Sequence, residues 1–180
     1  AAQPTQSASP PAASKKTRAP RVAAALAMPA SRPVQLRIPS LGVRSGLIDL
    51  GLNPDRTMEV PKDPADVGWF DQSVAPGSLG PAVLAGHVTW NRAPAVFFKL
   101  ATLRKGDRVE VTRKDGSTAV FAVTDVQQHP KDRFPTQAVY GTIDHAGLRL
   151  ITCAGKYDGG NARYLDNIVV FAELVRARPA

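Results

Sequence analysis

The chain contains one cysteine, so any nucleophilic chemistry at sulfur rests on Cys153. The run Leu150-Ile151-Thr152-Cys153-Ala154-Gly155 sets that thiol where an apolar strand gives way to a polar loop. Strand ends on a rigid sheet present reactive groups to ligands, whereas a cysteine that only fills space belongs inside the apolar run. His87 has a matching setting, at the end of Pro81-Ala82-Val83-Leu84 and beside Gly86. A thiol reacts as its thiolate, and imidazole is the side chain that exchanges protons near neutral pH. Cys153 with His87 would therefore form an activated nucleophile for acyl transfer. The two lie 66 residues apart, so the fold must bring them together. His129, in a turn-like setting before Pro130, and His145, after Asp144, are rivals that read more simply as solvated loop histidines. Acyl transfer also needs a donor for the oxyanion of the tetrahedral intermediate. Arg163, ten residues after Cys153, is the candidate, set against the plain reading of a solvated edge arginine. Asp166-Asn167 on the same strand either orient neighbouring side chains or cap the strand end.

The elements that must position these groups are short strands. Val34-Gln35-Leu36-Arg37-Ile38 alternates apolar and polar residues with period two and ends at Pro39. Val43–Leu50, Ala82–Val88, Arg108–Arg113, Ala119–Val126, Leu148–Cys153 and Ile168–Val175 are further strands, rich in Val, Ile and Phe. Lys114-Asp115-Gly116-Ser117 predicts a hairpin, because Asp-Gly accepts the positive φ angles of tight turns. The connections Ala93–Leu103 and Pro130–Gly147 suit one or two short helices packed on the sheet, and no long helix is encoded. Seven or eight short strands predict a mainly β sandwich or barrel.

At 180 residues with 43% hydrophobic content the chain supports one domain. Its net charge of +8 is concentrated: residues 1–48 hold seven Lys or Arg and no acid, which leaves +1 for the rest. A nearly neutral folded part has no electrostatic footprint for nucleic acid. Residues 1–33, with six prolines among Ala, Ser and Gln, predict a disordered basic tether; a domain over 34–175 and a tail over 176–180 follow. A single cysteine excludes a disulfide framework and a multi-thiolate zinc site. Carboxylates are scattered singly and no Gly-rich phosphate loop occurs, so neither metal nor organic cofactor is expected. No apolar run reaches the roughly 20 residues that span a bilayer. The chain is therefore soluble as it stands or follows an anchor upstream.

Taken in order, several segments resemble the actinobacterial class F sortases. They are Gly68-Trp69-Phe70, Pro76-Gly77, Gly80 through His87-Val88, and Pro94-Ala95-Val96-Phe97-Phe98-Lys99-Leu100. They continue with Lys105-Gly106-Asp107, Phe134-Pro135-Thr136, Val139-Tyr140-Gly141, Leu148 through Cys153, and Asp166-Asn167-Ile168-Val169-Val170. The resemblance runs from about Val34 to Leu174. It implies a single closed eight-stranded sortase-type β-barrel with one or two short helices, and a catalytic set of His87, Cys153 and Arg163. Many members carry Arg directly before Asp-Asn; Leu165 stands there in this chain, and Arg163 is the nearest arginine. Thr89 stands where Asp is common.

The resemblance further implies a cysteine transpeptidase that cleaves a Leu-Pro-x-Thr-Gly-like (LPxTG-like) sorting signal between Thr and Gly through a thioacyl intermediate. The acceptor would be the amine of a peptidoglycan precursor. The enzyme is then expected as a monomer on the extracellular face of the cell membrane, anchored upstream of this chain. Two other readings are carried forward: a thiol hydrolase on the same fold, and a non-catalytic cell-surface β-domain with a buried cysteine.

Overall fold

The computed structural model describes residues 25–180. Ten strands follow one another: β1 Pro33–Ile38, β2 Val43–Leu50, β3 Val67–Phe70, β4 Gly80–Gly86, β5 Thr89–Trp90, β6 Ala93–Pro94, β7 Arg108–Arg113, β8 Thr118–Pro130, β9 Ala146–Asp158 and β10 Arg163–Arg178. Eight of them close a barrel in the order β1-β2-β3-β4-β9-β10-β8-β7, while β5 and β6 form a separate two-stranded ribbon. The pairs β2/β3 and β4/β9 are parallel, and the other barrel pairs are antiparallel. Among the described residues helical structure is confined to 3-10 turns at Pro39–Leu41, Leu100–Thr102 and Lys131–Arg133 and one α-helix, α1, Thr136–Tyr140. This is the mainly β, closed eight-stranded architecture implied by the resemblance. No helix among the described residues is long and apolar enough to cross a membrane.

Strand β3 had no counterpart among the strands named from sequence. It is four residues long and contains Gly68, and it exists because β2 and β4 flank it. A Cβ at Gly68 would fall 2.2 Å from Cγ of Leu50, a buried side chain, so glycine lets β2 and β3 close. Val34 also departs from the simple alternation: the β1/β7 register slips between Pro33 and Gln35, leaving Val34 exposed while Leu36 and Ile38 are fully buried. The Asp-Gly hairpin forms as predicted between β7 and β8. Only Gly116 takes positive φ, at 83°, while Asp115 accepts hydrogen bonds from the Ser117 backbone and hydroxyl.

The barrel interior holds Leu36, Ile38, Leu84, Val109, Val111, Phe121, Leu148, Leu150 and Val170, with Phe97 and Leu100 packed against them. Each such side chain contributes about 1.5–3 kcal/mol by leaving water. On β4, β9 and β10 the alternate residues, Val83, Ala85, Ile151 and Val169, join a second cluster with Leu50, Val139, Phe70 and Phe134. These three strands are thus apolar on both faces, which explains the unbroken runs Ala82–Ala85 and Ile168–Ala172. The outer face is roofed by α1 and by the β2–β3 connection, which supplies Met58.

Both ends of the predicted domain extend further. Of the expected tether, residues 1–24 lie outside the described residues. Met28 and Arg32 hydrogen bond through their backbones to Gly77 and Lys114, and Pro29 O accepts from the buried Arg113 guanidinium at 2.6 Å. At the other end β10 continues through Arg176 and Arg178, which pair with Val120 and Thr118.

Candidate active site

The parallel pairing of β4 with β9 runs from Gly80↔Ala146 to Ala85↔Ile151. One step further, the Thr152 hydroxyl donates to Gly86 O at 2.8 Å and locks the two strand ends together. One residue further along come His87 and Cys153, which line the same two clefts at this end of the strands. Alternation turns both side chains to the outer face, with Ala85 and Ile151. A chain separation of 66 residues is thus closed by one strand pairing.

Several contacts fix His87. Its Nε2–H donates to Pro61 O at 2.6 Å; a carbonyl only accepts, so the neutral ring keeps its lone pair on Nδ1. The Trp90 ring meets the imidazole edge-on, with centroids 5.1 Å apart. His87 O accepts from Phe97 N at 2.9 Å, and Val88 O accepts from Ala95 N at 3.0 Å. Gly86 permits this arrangement, because a Cβ there would stand 2.9 Å from the Phe97 ring.

Cys153 is a free, half-buried thiol. Directly across from it on β10 is Asn167, and across from Asn167 on β8 is His129. The Lys131 ammonium, on the turn that ends β8, donates to Cys153 Sγ at 3.4 Å.

Two clefts meet at this centre. One, of about 740 Å³, is lined by His87, Cys153, Lys131, Thr152 and Asn167 together with Leu52, Met58, Val60, Phe70 and Ile151. Its wall is largely apolar. Tyr140, also in this wall, packs edge-on against Phe70 with centroids 5.9 Å apart, and burial pushes its phenol pKa above the ordinary value. The other cleft, of about 920 Å³, shares His87, Lys131 and Cys153 and adds Trp90, Asn91, Arg92, Tyr157, Arg163 and Tyr164.

Arg163 is exposed at the start of β10 and paired with Asp158, and it lines the second cleft. The register slips between Tyr164 and Asp166. Beside Arg163, the Tyr164 ring lies 5.2 Å from Tyr157 and the Tyr164 hydroxyl shares a 2.8 Å hydrogen bond with that of Thr89. Thr89 therefore ties the β9–β10 tip to the segment after His87. Of the two readings for Asp166-Asn167, Asp166 secures the strand, accepting from Gln128 Nε2 at 2.6 Å, and Asn167 faces the first cleft. His129 belongs to β8 rather than to a turn and bonds Gln127 Oε1 at 2.7 Å. His145 lies at the other end of β9, beside Asp144 and Glu173.

Pro61 and Lys131 also reach this centre. Neither carries a local signal, since each reaches the centre on a loop from elsewhere in the chain.

A family profile described as the sortase domain matches residues 36–175. The chain belongs to the sortase family. The enzyme class expected from the sequence, a sortase-type cysteine transpeptidase, agrees with that membership. Among solved structures, sortase A of Listeria monocytogenes superposes with a TM-score of 0.63 at 19% identity, over 83% of this chain and 91% of that one. The SrtA sortase of Actinomyces oris gives 0.63 at 20% identity, over 84% and 87%. Sortase C-1 of the same organism gives 0.59 at 24% identity, over 80% and 75%. These likenesses establish a shared fold. No curated protein matches the sequence.

Proposed function

We propose that this sortase is a class F enzyme that cleaves a Leu-Pro-x-Thr-Gly-like signal between Thr and Gly and transfers the acyl group to the amine of a peptidoglycan precursor. The observation that carries this reading is the meeting of His87 and Cys153 at the junction of an apolar cleft with a second, more polar one. Such a centre has room for an acyl donor on one side and an amine on the other. Leu52, Met58, Val60 and Ile151 suit the Leu and Pro side chains of the signal.

In the first half-reaction the Cys153 thiolate attacks the Thr carbonyl, forming an S–C bond and a tetrahedral oxyanion. The C–N bond to Gly then breaks as the His87 imidazolium gives its proton to the departing amine. In the second half-reaction the acceptor amine attacks the thioester and gives its proton to His87, and the Cys153 thiolate leaves. With Nε2 bonded to Pro61 O, Nδ1 is the nitrogen that exchanges the proton. Arg163 holds the substrate backbone from the rim of the second cleft. The enzyme works as a monomer on the extracellular face of the membrane, with an anchor upstream of the basic tether.

The test is mass spectrometry of the protein with Leu-Pro-x-Thr-Gly peptides, with and without an added amine, beside Cys153→Ala and Arg163→Ala. A thioacyl adduct that the amine resolves, absent in Cys153→Ala, supports the transpeptidase. Release of free acid at the same rate with or without amine would indicate the hydrolase instead. No adduct from folded protein across a peptide panel overturns the substrate assignment.

A further inference from the structure

We infer that Lys131 is a catalytic residue, the cation that holds negative charge on the Cys153 sulfur. The role rests on the reading of Cys153 as nucleophile; it does not depend on the sorting signal.

The geometry begins with strand pairing. His129, Asn167 and Cys153 form one row across β8, β10 and β9, and Pro130 pairs with Asp166 in the next. Beyond Pro130 the chain leaves the sheet in the turn Lys131–Arg133, so the first residue free of the ladder is Lys131. It lies two strands from Cys153, about 10 Å in the hydrogen-bonding direction, a gap that a lysine stem narrows to contact. Nζ reaches Sγ at 3.4 Å.

Nothing nearby competes for this charge. Among the described residues Lys131 forms no ion pair with a carboxylate. Asp132 faces Arg133 at 3.9 Å, and Asp166 accepts from Gln128. The ammonium also borders both clefts, as Cys153 does. By contrast Arg163 stands four residues before Asn167 on β10, about 13 Å along an extended strand from the row that holds Cys153. Leu165, on that same strand between them, carries no charge. Lys131 is thus the cation in contact with sulfur, while Arg163 serves the rim.

An ammonium beside sulfur favours thiolate over thiol. It can then donate to an oxyanion forming on the carbonyl carbon that the sulfur attacks, since a lysine carries three donors on a flexible stem. No bond to Lys131 is made or broken, and no co-reactant is needed.

Alkylation by iodoacetamide at pH 7 in the absence of peptide isolates the first effect, because only the thiolate reacts. The adduct is mapped to Cys153 by mass spectrometry, in protein shown to be folded by circular dichroism. Labelling of Lys131→Met should slow about tenfold or more, the scale of an opposite charge in contact with an ionising group. Lys131→Arg should recover most of the rate, and Lys105→Met, remote from the site, should match the parent. In turnover, Lys131→Met should lower kcat with little change in KM. Labelling of folded Lys131→Met within twofold of the parent, failure of arginine to restore a slowed rate, or a parent thiol that does not react at all would overturn the role. Peptide cleavage by the parent bears on the substrate assignment alone, so the two readings fail separately.

Discussion

Replacing Thr152 by Val tests whether one hydroxyl holds His87 and Cys153 in place. Thr152 is 4% exposed, and its Oγ1 donates to Gly86 O at 2.8 Å, one residue beyond the last β4/β9 pair, Ala85↔Ile151. Valine keeps the shape and removes the donor. A net hydrogen bond is worth about 0.5–1.5 kcal/mol, and a desolvated acceptor left unpaired adds to the loss. The expected destabilisation is therefore about 1–2 kcal/mol, or a fall in Tm of roughly 2–8 °C for a domain of this size. Activity should suffer more than stability, because His87 and Cys153 are the next residues on the two strands. A displacement near 1 Å of reacting groups costs up to about a hundredfold, so thioacyl formation should slow by about ten- to a hundredfold. Urea unfolding gives the stability and quenched-flow mass spectrometry gives the acylation rate. Thr152→Ser, which retains the hydroxyl, should keep most of both. If Thr152→Val acylates within twofold of the parent, or if Ser and Val variants lose equally, the strand-end clamp is not what positions the pair.

Three further substitutions probe the scaffold. Gly68→Ala places a methyl 2.2 Å from Leu50 Cγ and should cost about 1–3 kcal/mol in urea unfolding, the usual range for overpacking. Asn91 and Arg92, between β5 and β6, both have positive φ, 47° and 66°, the requirement of a type I′ turn. Arg92→Gly should therefore raise Tm, gaining up to about 1 kcal/mol by relieving left-handed strain at a side-chain-bearing residue. Hydrogen bonds from Ser117, and next from Arg113, hold the Asp115 carboxyl below the usual carboxylate range. The stability this confers is complete above the unfolded value of about 3.9 and is lost as pH falls toward the folded one. Asp115→Asn should therefore show a shallower loss of stability below about pH 4 than the parent, read by urea midpoints across an acid series.

The proposed pair, His87 and Cys153, was legible because each member ends an apolar run: Leu84 to His87 and Leu150 to Cys153. The Asp-Gly hairpin and the alternation of Leu36, Arg37 and Ile38 were legible for equally local reasons. β3 was not, because the Val67–Phe70 segment becomes a strand through its neighbours, not through its own pattern. The lengths of β8, β9 and β10 were also hidden. Gln127, Gln128 and His129 on β8, and Lys156 and Tyr157 on β9, are polar or exposed, and their pairing with β10 leaves no apolar period. Pro61 and Lys131 illustrate a harder limit. A backbone carbonyl has no residue type to read, and a lysine beside Pro130 looks like any solvated charge until the row His129–Asn167–Cys153 is assembled.

That row places the proposed chemistry on the outside of the barrel. The interior is filled by Leu84, Leu148, Leu150 and Val170, so no substrate enters it. The outer face of β4, β9 and β10 is equally apolar through Val83, Ala85, Ile151 and Val169, and it needs a cover. α1 and the β2–β3 connection supply that cover, the connection reaching His87 through Pro61 O, and the apolar cleft opens between this cover and the strand ends that carry His87 and Cys153. Cys153 is thus placed where an apolar sheet face begins to meet water, as the proposed reaction with an apolar peptide and an amine requires. The turn at the end of β8 brings the Lys131 ammonium to within 3.4 Å of the Cys153 sulfur at this boundary.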